Sequence, residues 1–138
     1  MVWVVGDSFV HWASRVAATT GVGAELTEMA DVCWMGKRGL HLADFNDFLH
    51  RCWKMKQANP DYIIIHVGSN ALGILPQKAI LEAIKSVFTV TRSLLPHTIM
   101  LWSSILPRVN YLGAHGQNKF ERSRRAINRW VVNLMRFA

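Results

Sequence analysis

A chain of 138 residues, 51% apolar and only 18% charged, holds one domain with enough apolar mass for a core, which excludes an intrinsically disordered protein. No apolar run is long enough to form a membrane-spanning helix. The formal charge is +7, with much of the excess late in the chain at Lys119, Arg122, Arg124, Arg125, Arg129 and Arg136, and no nucleic-acid module signature accompanies it.

The first element is Val2-Trp-Val-Val5, a continuous apolar run that reads as a buried strand feeding the turn Gly6-Asp7-Ser8. From Ser8 to about Thr20 the pattern is helical, with Ser8 as the predicted N-cap and Gly21 and Gly23 as the break. Leu26 to Trp34 predicts a second strand, followed by the glycine-bearing loop Gly36 to Gly39. Leu42, Phe45, Leu49 and Trp53 recur at helical spacing and stop before Asn59-Pro60. Tyr62 to Val67 is β-branched and continuous, a third strand that runs into Gly68-Ser-Asn70. Ile80, Ile84, Val87, Phe88 and Leu95 mark a helix ending at Pro96, and Thr98 to Ser103 a fourth strand. After a loop through Pro107, Gly113 and Gly116, residues Phe120, Ile127, Trp130, Val131 and Leu134 mark the last helix.

Strict alternation of strand and helix predicts one domain over 1–138: an α/β, doubly wound three-layer sandwich with a mostly parallel sheet. In such sheets ligands bind beyond the carboxyl ends of the strands. Three turns fall there: Gly6 to Ser8, Gly36 to Gly39, and Gly68 to Asn70. Alone, each is ordinary, since serine and asparagine cap helices and turns and glycine supplies backbone angles. Together they hold what acyl transfer needs, a hydroxyl facing preorganised N–H donors. The donors would be the Ser8 backbone N–H, the Gly39 N–H, with Gly36 as its rival, and the Asn70 side-chain amide.

Val4-Val-Gly-Asp-Ser8 resembles the first block of the SGNH (GDSL-type) hydrolases, and Gly68-Ser-Asn70 resembles their third. The resemblance implies a flavodoxin-like fold, carboxylic-ester hydrolysis without a cofactor or metal, and a small acyl or acetyl ester as substrate. It implies Ser8 as nucleophile, and Ser8, Gly39 and Asn70 as the oxyanion hole, with Asp7 and Gly68 in support. Trp102-Ser-Ser-Ile-Leu-Pro-Arg108 and the Ile127-Asn128 pair are similar to SGNH-type domains of some eukaryotic retroelements. Two departures stand out. Ala71 replaces the usual aspartate of the third block, and the family's last block, Asp-x-x-His, reads as absent from the chain. The chain therefore reads as stopping before the last strand and the catalytic histidine, and as weak or inactive by itself.

The remaining residues read plainly. His11 is the nearest surrogate base but leans along its own helix; His66 is a satisfied strand histidine; His41 starts a helix; His50, His97 and His115 are surface or turn residues. No pair of histidines has metal-ligand spacing. Cys33 and Cys52 read as buried thiols in a reducing compartment, and with no leader before Val2 the expected location is intracellular, cytoplasmic or nuclear. Trp3, Trp53 and Trp130 are expected in the core, while Trp34 and Trp102 border the rim. The competing function is a non-catalytic module that holds nucleic acid through Arg124, Arg125 and Arg129.

Overall fold

The computed structural model describes residues 1–20, 31–107 and 117–136. Within them the order is β1 (Val2–Gly6), α1 (Ser8–Thr20), β2 (Val32–Gly36), α2 (Leu42–Lys56), β3 (Tyr62–His66), a short 3-10 turn (Ser69–Ala71), α3 (Gln77–Leu94), β4 (Ile99–Trp102) and α4 (Gln117–Arg136). The strands form one four-stranded sheet in the order β2-β1-β3-β4, and every pairing is parallel. The doubly wound α/β reading of the sequence is therefore the architecture observed.

Register explains the core. Trp3, Ile63 and Met100 are partners across β1, β3 and β4, as are Val5 and Ile65, and all of them are buried. Against this face pack Phe45 and Leu49 of α2, Ile80, Ile84 and Val87 of α3, and Ile127 and Val131 of α4. Completely burying one such side chain contributes about 1.5–3 kcal/mol. The alternate residues Val2, Val4 and Ile64 are half-buried, and Tyr62, Ile99 and Leu101 are exposed on the side where α1 lies over β1 and β2.

Two glycines allow close approach where the strands end, Gly6 to β3 and Gly36 to α1. Gly6 and Gly36 are register partners at the ends of β1 and β2. A Cβ on Gly6 would lie 2.0 Å from the His66 carbonyl oxygen, and one on Gly36 would lie 2.2 Å from the His11 backbone nitrogen. Both obstacles are backbone atoms, so no side-chain rotation relieves them. Gly36 lets the first turn of α1 settle onto β2, while Gly6 leaves room for the His66 carbonyl of β3 and the Val10 side chain of α1.

The structure corrects several sequence expectations. The second strand starts at Val32 rather than Leu26, and residues 21–30 lie outside the described ones, as do Gly113, His115 and Gly116. Trp130 is 60% exposed, because it sits off the stripe that Phe120, Ile127 and Val131 bury. Trp53 is half-buried and its indole N–H donates to Asn59 at 2.9 Å. Cys52 is buried, but Cys33 is only half so; both are free thiols. No helix among the described residues is long and apolar enough to cross a membrane.

Gly6→Ala is expected to destabilise the domain by about 3 kcal/mol or more, the upper range for overpacking against an immovable neighbour. Urea midpoints of the purified proteins measure this, and a midpoint equal to the parent's refutes the close-approach account.

Candidate active site

At the carboxyl end of the sheet, hydrogen bonds join the three turns singled out from the sequence into a closed circuit. Lys37 N–H donates to the Gly6 carbonyl at 3.0 Å, tying the second turn to the first. Asp7 N–H donates to the His66 carbonyl at 3.1 Å, and the Ser69 hydroxyl donates to Asp7 Oδ2 at 3.3 Å, tying the first turn to the third. The Asn70 amide donates to the Leu40 carbonyl at 3.2 Å, which closes the ring between third and second.

Asp7 is the hub. It is fully buried, and its Oδ1 accepts the Phe9 backbone N–H at 3.1 Å while Oδ2 takes the Ser69 hydroxyl. Its carbonyl also accepts the first N–H of the α1 ladder, from His11 at 3.1 Å. Asp7 is thus the N-cap of α1, placed where the helix dipole favours a carboxylate. This corrects the assignment of that role to Ser8. Ser8 is instead the first helical residue, half-buried, and its hydroxyl has no hydrogen-bond partner among the described residues.

The two rival glycines separate cleanly. Gly36 ends β2 and is filled from behind by the backbone of α1. Gly39 lies in a turn closed by Leu40 N–H to the Lys37 carbonyl at 3.2 Å, with φ +70° and nothing within 4 Å of an added Cβ. It therefore takes a backbone angle that favours glycine and borders open space. Gly68, at φ +117°, starts the 3-10 turn that carries Ser69, Asn70 and Ala71. Ala71 is buried there, and the Leu40 carbonyl anchors Asn70 without the aspartate usual after it.

His66 is 7% exposed; its Nδ1 lies 2.9 Å from Ser103 Oγ, and its ring meets Phe9 edge-on at 5.4 Å. Burial disfavours the imidazolium and lowers its pKa below the ordinary value of 6.5, while the nearby Asp7 carboxylate pulls the other way. This satisfied, largely neutral histidine is what the sequence suggested. His41 precedes α2 as its N-cap residue without a side-chain cap bond, and His50 and His97 are exposed. The reading that no Asp-x-x-His occurs in the chain is corrected at one place: Asp47-Phe-Leu-His50 has that spacing. It lies within α2, ahead of the third turn, with both side chains exposed and His50 edge-on to Trp53 at 5.7 Å. It does not stand where the family's last block belongs.

The arginines divide. Arg124, only 16% exposed, forms a two-pronged pair with Glu121 at 2.9 Å and donates to the Ile105 carbonyl at 3.2 Å. Asn128 clasps the same residue, donating to the Ile105 carbonyl at 3.0 Å and accepting its N–H at 2.8 Å. These contacts join the two segments that carry the retroelement resemblance. Arg125 and Arg129 point outward. Trp102 stacks edge-on to Phe88 at 5.5 Å, and Trp34 lies half-buried inside β2. Among the described residues no cluster of histidine, cysteine and carboxylate side chains could hold a metal ion.

Because the folded chain binds a proton at His66 less readily than the unfolded chain, this residue's contribution to stability is complete above the ordinary histidine pKa. It is lost as pH falls through that value and the lower folded one. Urea midpoints should therefore fall between pH 7.5 and 5, and His66→Gln should flatten that fall. An identical acid limb in the variant contradicts the assignment.

No protein-family model and no curated protein matches this chain. Solved structures do. A GDSL-like lipase from Bacteroides thetaiotaomicron superposes with a TM-score of 0.72 at 13% identity, covering 98% of this chain and 63% of its own. A member of the lipolytic G-D-S-L family from Veillonella parvula gives 0.68 at 10% identity, over 96% and 70%. The psychrotrophic esterase EstA from Pseudoalteromonas gives 0.56 at 14% identity, over 93% and 71%. The chain spans only 60% of another match, from Streptococcus pneumonia. With four parallel strands and its helices on both faces, the chain has the fold of the GDSL/SGNH lipolytic hydrolases.

Proposed function

We propose that this chain is a serine hydrolase domain that cleaves a small acyl or acetyl ester, with Ser8 as nucleophile. The observation that carries the reading is the hydrogen-bonded circuit of the three turns, in which Asp7 takes over the capping duty and leaves the Ser8 hydroxyl uncommitted. The lipase and esterase names of the matched structures support the same class.

In this reading Ser8 Oγ attacks the ester carbonyl and the alcohol leaves with the proton. Water then cleaves the acyl-serine to release the acid. The oxyanion that forms at each step is met by the backbone N–H groups of Ser8 and Gly39 and by the Asn70 amide, each such donor contributing about 3–4 kcal/mol. Asp7 and Gly68 hold the turns that present them. The weak point is the base. His66 is turned to Ser103, His11 lies edge-on to Trp12, and Asp47–His50 lies within α2, so this reading assigns the role to no described histidine. Loss of the base in a serine–histidine machine costs on the order of 10⁶ in turnover, the magnitude known for subtilisin. The 138 residues by themselves should therefore be slow.

The test is Ser8-dependence. Hydrolysis of an activated acetate ester by the purified chain should exceed background slightly, and Ser8→Ala should return it to background. Equal rates in parent and variant end the proposal.

A second reading draws on α4. Lys119, Arg122, Arg125, Arg129 and Arg136 are all exposed, at steps of three, three, four and seven residues. They lie on its outer side over roughly 25 Å of helix. Of these only Arg125 has a carboxylate partner among the described residues, Glu121 at 3.6 Å. Such a stripe suits a phosphate backbone. Binding to a single-stranded oligonucleotide should fall steeply with salt. Replacing Arg122, Arg125 and Arg129 by glutamine should lessen the log–log slope by about 2, given roughly 0.7 per contact on single strands. Absence of binding at low salt removes this reading.

A further inference from the structure

Beside the three turns lies a group of cations that the hydrolytic chemistry does not use. Trp12, one helical turn beyond Ser8, is 48% exposed. The Arg38 guanidinium lies 5.3 Å from its ring centroid and that of Arg15 lies 5.8 Å from it. His11 meets the same indole edge-on at 5.0 Å. Lys37 is exposed next to Arg38. Two guanidiniums and a histidine thus gather at one aromatic platform, and none of them has a carboxylate partner among the described residues.

Position gives this group its meaning. Side chains of a helix lean toward its N-terminus, so Trp12 and Arg15 tilt back toward the Ser8 end of α1. Arg38 reaches the platform from another element, as the residue before Gly39 in the turn closed by Leu40. The space in front of Gly39 is open. Two guanidiniums held against one ring are like charges, and the indole face attracts each of them. Guanidinium forks match carboxylate, phosphate and sulfate oxygens, so an anion brought to this indole meets two donors suited to it.

We infer that Arg38, Arg15 and Trp12 form a specificity subsite for an anionic group, and that the ester taken at Ser8 carries a carboxylate, phosphate or sulfate on its alcohol portion. The inference rests on the hydrolase reading for the position of the scissile bond, but the anion subsite has its own readout. A neutral alcohol would leave the guanidiniums facing solvent, and a cationic one would be repelled.

The test pairs two acetate esters of similar size, phenyl acetate and 3-acetoxybenzoate, which differ by one carboxylate. In the parent the ratio of kcat/KM, anionic over neutral, should exceed one and fall as salt is raised. Arg38→Gln should lower that ratio about threefold to fivefold, the range of one partly exposed ion pair, while Lys54→Gln, an exposed cation elsewhere, should not. Alongside, binding of 3-acetoxybenzoate to Ser8→Ala is followed by ligand-observed NMR, with and without Arg38→Gln. Serine-dependent hydrolysis whose charge ratio is unmoved by Arg38→Gln overturns the subsite and leaves the hydrolase intact. Arg38-dependent, salt-sensitive binding without serine-dependent hydrolysis keeps the subsite and removes the hydrolase. The absence of both overturns both.

Discussion

The site depends on one steric fact, the missing side chains where β1 and β2 end. With Gly6 under the His66 carbonyl of β3 and Gly36 under the backbone of His11, β3 and the first turn of α1 both close on the strand ends at distances that a side chain there would forbid. That approach brings the Asp7 N–H to the His66 carbonyl and fixes where α1 begins. Every later feature of the rim inherits its position from this contact. A steric constraint of this kind is rigid because protein interiors are packed at crystal density and backbone cannot swing aside.

On that frame a single buried carboxylate does two jobs. Asp7 satisfies α1 at its amino end and holds the third turn through Ser69. Burying a charge is costly unless it is hydrogen-bonded, so both partners are needed for the carboxylate to be tolerated there. The consequence falls on its neighbour: with the cap supplied from one residue earlier, the Ser8 hydroxyl is left for other work. A similar double use appears after β4, where Asn128 and Arg124 satisfy both backbone groups of Ile105 and hold that stretch of chain to α4.

The excess positive charge is distributed rather than uniform. Arg124 is structural, the outer stripe of α4 faces solvent, and Arg15, Lys37 and Arg38 crowd the rim near Ser8. Net charge alone carries information about association, not about which surface is used. Here the rim charges are those that the proposed subsite would use, because they share their turns with the groups proposed to act on a substrate.

Much of this was legible in the residues. Continuous β-branched strands such as Tyr62–His66, helical repeats such as Leu42, Phe45 and Leu49, and the punctuation by glycine and proline are local signals, and local signals determine element type and order. Alternation of those elements then determines a parallel, doubly wound sheet and the edge at which a site can form. What only the tertiary structure decided was every choice between equivalent neighbours: Asp7 rather than Ser8 as cap, Gly36 as the packing glycine and Gly39 as the open one, Arg124 turned in while Arg125 and Arg129 turn out, Trp130 left in solvent, and Trp12 met by Arg38. Each depends on distances between residues far apart in the chain, and sequence periodicity records which face a residue takes but not what waits on the other side of the contact.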